Sequence, residues 1–258
     1  MRLTVLGCSG GGPTRSTPAS GYLLTSGATS VLLDAGPGTF LELGRHLDPA
    51  ALAAVVVSHI HVDHCADFFG LYGYLRSAAR QEPLPVFVPE GAAEHLAAFA
   101  GAGEGHGFFS LFEFTTVGRG NATIRDVALE FGSAAHGVPA LVTRLETHAG
   151  AVTYSGDTGT GGDLATLAQG ADVLLCEAGL APGDSYPHHL TAEGAGAVAA
   201  TAGVGRLIVT HLPPTLDKES ATAAAAAKFS GPVTAAEPGA VYAVAGDREP
   251  TRPGKAET

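Results

Sequence analysis

Basic residues are scarce in this chain. Fourteen Lys and Arg stand against 25 Asp and Glu in 258 residues, a formal net charge of −11 with histidine neutral. That shortage removes the electrostatic attraction that dominates nucleic-acid affinity, and it leaves no basic patch for an anionic membrane surface. Any phosphate the protein handles must be held by metal ions and a few local groups. Cysteine is also sparse. Cys8, Cys65 and Cys176 are odd in number and scattered, which argues against a disulfide framework and fits a reduced, cytoplasmic setting. No apolar run is long enough to span a bilayer. Tryptophan is absent, and no functional meaning attaches to that.

Two segments invite readings that their surroundings do not support. Val5-Leu6-Gly7-Cys8 has the look of a lipoprotein cleavage site but no preceding apolar segment, so it reads as part of a first strand. The glycine-rich Gly7-Cys8-Ser9-Gly10-Gly11-Gly12-Pro13 could present backbone N–H groups to a phosphate, but it carries no lysine and fits a tight turn better than a Walker motif. The run from Gly156 to Gly162 is likewise no nucleotide fingerprint.

What is present is a chain 45% hydrophobic and 15% charged, enough to bury a substantial core, with 36 Gly and 16 Pro marking many turns. Strand patterns fall at 3–7, 21–25, 30–33, 53–57, 85–88, 128–131, 140–145, 151–155, 173–176, 206–210 and 241–244. Helical patterns rich in Ala and Leu fall at 39–46, 68–79, 92–100, 163–168, 192–202 and 219–229, the fifth with Thr191 placed as its cap. The first half reads as strand-heavy and hairpin-like, the second as alternating strand and helix. This is an α/β pattern without an evident linker, read as a single domain over 1–246 with a polar, frayed tail at 247–258.

The densest chemistry is Ser58-His59-Ile60-His61-Val62-Asp63-His64, immediately after the apolar Ala53-Ala54-Val55-Val56-Val57. Imidazole nitrogens and carboxylate oxygens are the usual ligands of zinc and similar cations. If the apolar run continues as a strand, His59 and His61 point the same way by the two-residue period, while Asp63 and His64 sit on a turn that bends toward a second ion. The bland alternative is a solvent-exposed histidine-rich loop or a core histidine. Cys65 adjoins the motif as a stray ligand or, more simply, a small buried hydrophobe. Further His and Asp residues close apolar runs elsewhere: His136, Asp157 and His211. Each alone could equally be a turn or cap.

His59-Ile60-His61-Val62-Asp63-His64 resembles the signature of the metallo-β-lactamase-fold hydrolases, and the order and contexts of His136, Asp157 and His211 match that superfamily. The resemblance implies a four-layer αββα sandwich with two mixed sheets and metals at one edge. It also implies two divalent ions, Zn first with Mn or Fe as alternatives. His59, His61 and His136 would hold one, Asp63, His64 and His211 the other, and Asp157 would bridge them at ~3.5–4 Å with a shared hydroxide as the attacking group. Asp34 matches an acidic residue that ends an early strand of the fold, either orienting a ligand or simply occupying a Gly-Pro turn.

Glu177 and the His189-Leu190-Thr191 segment resemble ribonuclease Z and its phosphodiesterase relatives, where such a pair delivers a proton to the leaving oxygen. A Glu partner raises the pKa of His189 and lets it act as an acid. His188 reads as a bystander. The resemblance thus gives a catalytic set of Asp63, Glu177 and His189. The start of the chain, with Cys176-Glu177-Ala178, is similar to actinobacterial cyclic-AMP phosphodiesterases, which implies a small phosphodiester such as a 3′,5′-cyclic nucleotide as substrate and no membrane or nucleic-acid partner. The competing readings are a tRNA 3′-processing endonuclease, an ester or thioester hydrolase, and a non-catalytic metal-binding sensor. Between His136 and Asp157 there is room only for two strands and a turn, not for a tRNA-clamping arm, and Leu212-Pro213-Pro214-Thr215 departs from the ribonuclease Z pattern. Relatives are often homodimers. The stretch 101–109, with His106, Phe108 and Phe109, is read either as a flap whose aromatics stack a base or as a surface loop without a role.

Overall fold

A computed structural model describes residues 1–78, 80–101 and 107–244. The apolar runs become strands because β-branched and aliphatic residues suit a pleated surface covered on both faces. Successive leucines go to opposite sides: Leu24, Leu33 and Leu175 enter the core between the sheets, and Leu23, Leu32 and Leu174 pack outward under helices.

The first sheet comprises β1 (Arg2–Gly7), β2 (Gly21–Ser26), β3 (Thr29–Leu33), β4 (Ala54–Val56), β5 (Leu84–Val88) and β6 (Phe112–Thr116). The second comprises β7 (Gly120–Ile124), β8 (Val127–Ser133), β9 (Leu141–Thr147), β10 (Gly150–Tyr154), β11 (Val173–Glu177), β12 (Leu207–Thr210) and β13 (Val233–Ala235). The last strand, β14 (Val241–Ala243), returns to the first sheet beside β1. The orders are β14-β1-β2-β3-β4-β5-β6 and β13-β12-β11-β10-β9-β8-β7. Each sheet is antiparallel at one end and parallel from β3 to β6 or from β10 to β13.

Helices α1 (Thr39–Leu43), α2 (Val62–Cys65), α3 (Phe68–Leu75), α4 (Ala92–Phe99) and α5 (Phe108–Leu111) belong to the first half of the chain, and α3 to α5 pack on the outer face of the first sheet. On the second sheet lie α6 (Leu164–Leu167), α7 (Ala192–Ala202) and α8 (Lys218–Ala226). The result is the expected αββα sandwich. Thr191 caps α7 as expected, its hydroxyl accepting from Gly194 N–H at 3.2 Å. No helix among the described residues is long and apolar enough to cross a membrane.

The structure adds β6, β7 and β13, which the pattern of residues does not announce. Strand β7 reads Gly-Asn-Ala-Thr-Ile; it forms as an edge because the Arg125–Asp126 turn, with Arg125 at φ 55°, folds it onto β8. The second half is not simple alternation either, since β7 to β10 form an antiparallel meander before the βαβ units begin. The helix expected over 68–79 ends at Leu75, and Ala79 lies outside the described residues, as do the tail at 247–258 and His106. Of the two aromatics read as stacking partners in 101–109, Phe108 is not available: it is fully buried against Phe68, Tyr72 and Phe112, so its ring belongs to the core, whereas Phe109 is exposed; residues 102–106 lie outside the described residues.

Candidate metal centre

Every candidate ligand lies just beyond the C-terminal end of a strand or in the loop and helix that follow one, at one edge of the sandwich, where open α/β sheets place ligands. The first motif does so by a route the strand period does not give. Strand β4 stops at Val56, and His61 is the N-cap of α2, with Asp63 and His64 in that helix's only turn. His59 and His61 nevertheless converge, with His59 Nε2 3.0 Å from His61 Nδ1. They therefore meet through different ring nitrogens, which a shared strand face would not require.

The second sheet brings the remaining residues. His136 follows β8, Asp157 follows β10, and His211 follows β12 with a left-handed φ of 55°. His136 Nε2 lies 3.1 Å from His61 Nδ1. Asp157 sits between two groups: its Oδ2 is 3.6 Å from His59 Nε2 and 3.5 Å from His211 Nε2, and its Oδ1 is 3.2 Å from His64 Nε2. Asp63 Oδ2 lies 3.1 Å from His211 Nε2 and 3.7 Å from His64 Nε2. Two donor clusters result, His59, His61, His136 and Asp157 in one, and Asp63, His64 and His211 in the other; a third grouping, Asp157, His189 and His211, overlaps the first through Asp157 and the second through His211.

The donor set fits divalent cations. His64 Nε2 and Asp157 Oδ1 are buried and face one another without a hydrogen bond of adequate geometry. Orphaned buried polar atoms are costly unless something satisfies them. The tautomers point the same way. A carbonyl or carboxylate only accepts, so His136 Nδ1 donates to His188 O (3.0 Å) and His64 Nδ1 donates to Asp34 Oδ2 (2.7 Å). Each ring therefore has its Nε2 left to face the cluster, the nitrogen that would bind a cation once unprotonated.

Burial holds His59 well below the ordinary imidazole pKa, reinforced by His64. For His64 burial works against charge, yet the carboxylates of Asp157 and Asp34 outweigh it and push the ring well above the usual range. Burial would raise Asp157, but His64 and His211 bring it well below. Asp63 goes down to about 2 for the same reasons, through its hydrogen bond with His211 and the charge of His64. In the absence of cations His64 thus keeps a proton that it must release to serve as a ligand.

Around this core stand residues whose roles the sequence leaves open. Asp34, fully buried and left-handed at φ 59°, accepts from Ser58 N–H, Ser58 Oγ and Tyr154 OH, each at 2.6 Å, as well as from His64. Of its two readings, the one that orients a ligand is the one the geometry matches. The glycine-rich loop has a different use from phosphate binding: Gly11 N–H donates to Asp63 Oδ2 at 2.9 Å. Cys65 points its thiol to Ile60 O, pushed by burial up to about 12, and is no ligand in either cluster. His188 contributes its backbone carbonyl to His136 rather than nothing at all.

Glu177 ends β11 fully buried. Its Oε1 accepts from Thr158 N–H (2.9 Å) and from His189 Nδ1 (2.9 Å), and its Oε2 accepts from Gly179 N–H (2.8 Å). Burial opposes charge on His189, but the Glu177 hydrogen bond and charge prevail and raise its pKa. His189 Nδ1 is also 4.0 Å from Asp157 Oδ2, so the pair abuts the cluster. The structure therefore brings together all nine residues singled out in the sequence.

A beta-lactamase superfamily domain matches residues 29–212, which span the motif and every donor from Asp34 to His211. The chain belongs to that superfamily. An uncharacterized protein of Mycobacterium tuberculosis is 37% identical over 91% of this chain and 89% of its own length. The probable metallo-hydrolase YhfI of Bacillus subtilis is 31% identical over 94% of this chain and 99% of its own. The crystal structure of YhfI, described as a metallo-beta-lactamase fold protein, superposes with a TM-score of 0.84 over 93% of this chain and 98% of that one, at 27% identity. A ribonuclease Z of Kineococcus radiotolerans is 30% identical over 87% of this chain and 88% of its own. With this donor set on this fold, the superfamily member described here is a metal-dependent hydrolase.

Proposed function

We propose that the protein hydrolyses small phosphodiesters, 3′,5′-cyclic nucleotides foremost, with two divalent cations, zinc first and Mn or Fe as alternatives, and that 1–246 acts as one domain. The observation that carries the reading is the Glu177–His189 pair placed against Asp157. An ester or thioester hydrolase has no evident need of a second, carboxylate-backed imidazole beside its metal donors. His59, His61 and His136 would hold one cation and Asp63, His64 and His211 the other, with Asp157 shared. When bound, such cations supply Lewis acidity toward phosphate oxygens and acidify water near neutral pH. The residues do the rest. Glu177 holds Nδ1–H of His189, which leaves Nε2 as the nitrogen able to carry a proton to the departing oxygen. Asp63 remains a carboxylate throughout the working range.

A tRNA substrate is disfavoured. Strands β9 and β10, between His136 and Asp157, are joined by the short turn at His148-Ala149, so no arm projects there. The ribonuclease Z alignment runs over 285 positions against 87% of this 258-residue chain, so that enzyme carries residues without counterpart here. The charge of −11 opposes RNA further.

The test is hydrolysis of bis-p-nitrophenyl phosphate and 3′,5′-cyclic AMP with Zn, Mn or Fe added. Turnover of both is expected, with kcat reduced roughly 10²- to 10⁴-fold in His189→Ala. Release from the generic diester alone would remove the cyclic-nucleotide assignment, and no turnover with any metal would sink the phosphodiesterase reading. Glu177→Gln adds a pH test. Because Glu177 raises the pKa of His189, its loss should move the alkaline limb of the kcat profile to lower pH; an unmoved limb would mean that His189 is not the acid.

A further inference from the structure

Beside the metal centre an aromatic ring is left facing solvent. Tyr186 is 53% exposed, yet its surroundings are held firmly. The next residue, Pro187, packs its carbonyl so closely on the Asp157 loop that a Cβ at Gly159 would lie 1.8 Å from Pro187 O. The residue after that, His188, gives its carbonyl to His136 Nδ1. The segment is thus fastened to two of the loops that carry metal donors, while the Tyr186 ring is turned outward.

The ring is also aligned. Tyr186 lies over His189 with centroids 6.0 Å apart and planes 21° apart, and His189 lies over His211 at 5.6 Å and 12°. Three nearly parallel rings run from the nearly buried His211 to the open surface. In the proposed mechanism His189 serves the leaving oxygen, so Tyr186 stands on the leaving-group side of the reacting phosphate.

We infer that Tyr186 is a substrate-positioning residue that stacks the nucleobase of a nucleotide phosphodiester. The inference deepens the phosphodiesterase reading and rests on it. A planar heteroaromatic base suits an exposed phenol ring, whose π-face attracts any base without a hydrogen-bond code. Selectivity among bases is accordingly weak, whereas selectivity for the presence of a base is strong.

The experiment compares 3′,5′-cyclic AMP with its abasic analogue, the 3,5-cyclic phosphate of methyl riboside, in wild type, Tyr186→Phe and Tyr186→Leu. The ratio of kcat/KM values, nucleotide over abasic, should fall roughly tenfold in Tyr186→Leu, mainly through KM, and be kept in Tyr186→Phe. An unchanged ratio in Tyr186→Leu overturns the inference, including the case in which both rates fall together because Tyr186 merely supports His189. Equilibrium binding to the metal-loaded protein separates this from failure of the enzymatic reading. Tyr186→Leu should weaken adenosine 5′-monophosphate more than ribose 5-phosphate even if neither cyclic substrate is hydrolysed, and equal weakening counts against the stacking role.

Discussion

Asp157→Ala is expected to abolish turnover, with kcat down by at least about 10³. The two carboxylate oxygens of Asp157 approach donor nitrogens of both clusters, with His59 on one side and His64 and His211 on the other. Under the proposed assignment its removal would strip a ligand from both cations at once, whereas loss of His136 would weaken only one. Metal content after gel filtration should fall with activity. The neutral Asp157→Asn has nearly the same volume and should lose almost as much, because the cost is charge and donor geometry rather than packing. A wild-type rate in Asp157→Ala would remove the shared-carboxylate assignment outright.

Asp34→Ala should produce the largest loss of stability. Four donors converge on that carboxylate, two from Ser58, one from His64 and one from Tyr154. All lie at a site closed to solvent, so truncation leaves them without that acceptor and removes one of the two carboxylates, Asp34 and Asp157, that face His64. Breaking such a buried network costs on the order of 3–5 kcal/mol. For a chain of this size that is a Tm lower by roughly 10 °C, measured by thermal unfolding with chelator present so that metal does not contribute. Released from Asp34, His64 can also rotate, and metal affinity should weaken about 10- to 100-fold. A Tm within a few degrees of wild type would show that water takes the place of the carboxylate.

These two residues mark how far the sequence could be read. Asp157 was legible because it closes an apolar run in order with His136 and His211, and ligands gather where strands hand over to loops. The importance of Asp34 was only half legible, because its partner Tyr154 is 120 residues away and meets it only when the two sheets pack face to face. The clustering of His59 and His61 was anticipated, but not its geometry, since the chain leaves β4 early and caps a one-turn helix instead. Edge strands such as β7 escaped notice because pairing with β8, rather than their own residues, makes them strands. Of the adjacent Phe108 and Phe109, the first is core and the second exposed, a division that appears only once α5 packs on the first sheet.

His61 and His136 meet across 75 residues of chain, and Asp63 and His211 across 148. All three thiols are buried and free, so no covalent tie joins the two halves. Cations gripped by these side chains would act as removable staples between sheets, closing loops whose entropy in the unfolded chain resembles that restricted by a long-range disulfide, about 4–5 kcal/mol in the chain-entropy picture. Such a staple requires no oxidising compartment and can be withdrawn by a competing chelator. Metal supply would then govern how long the folded chain survives as well as how fast it works.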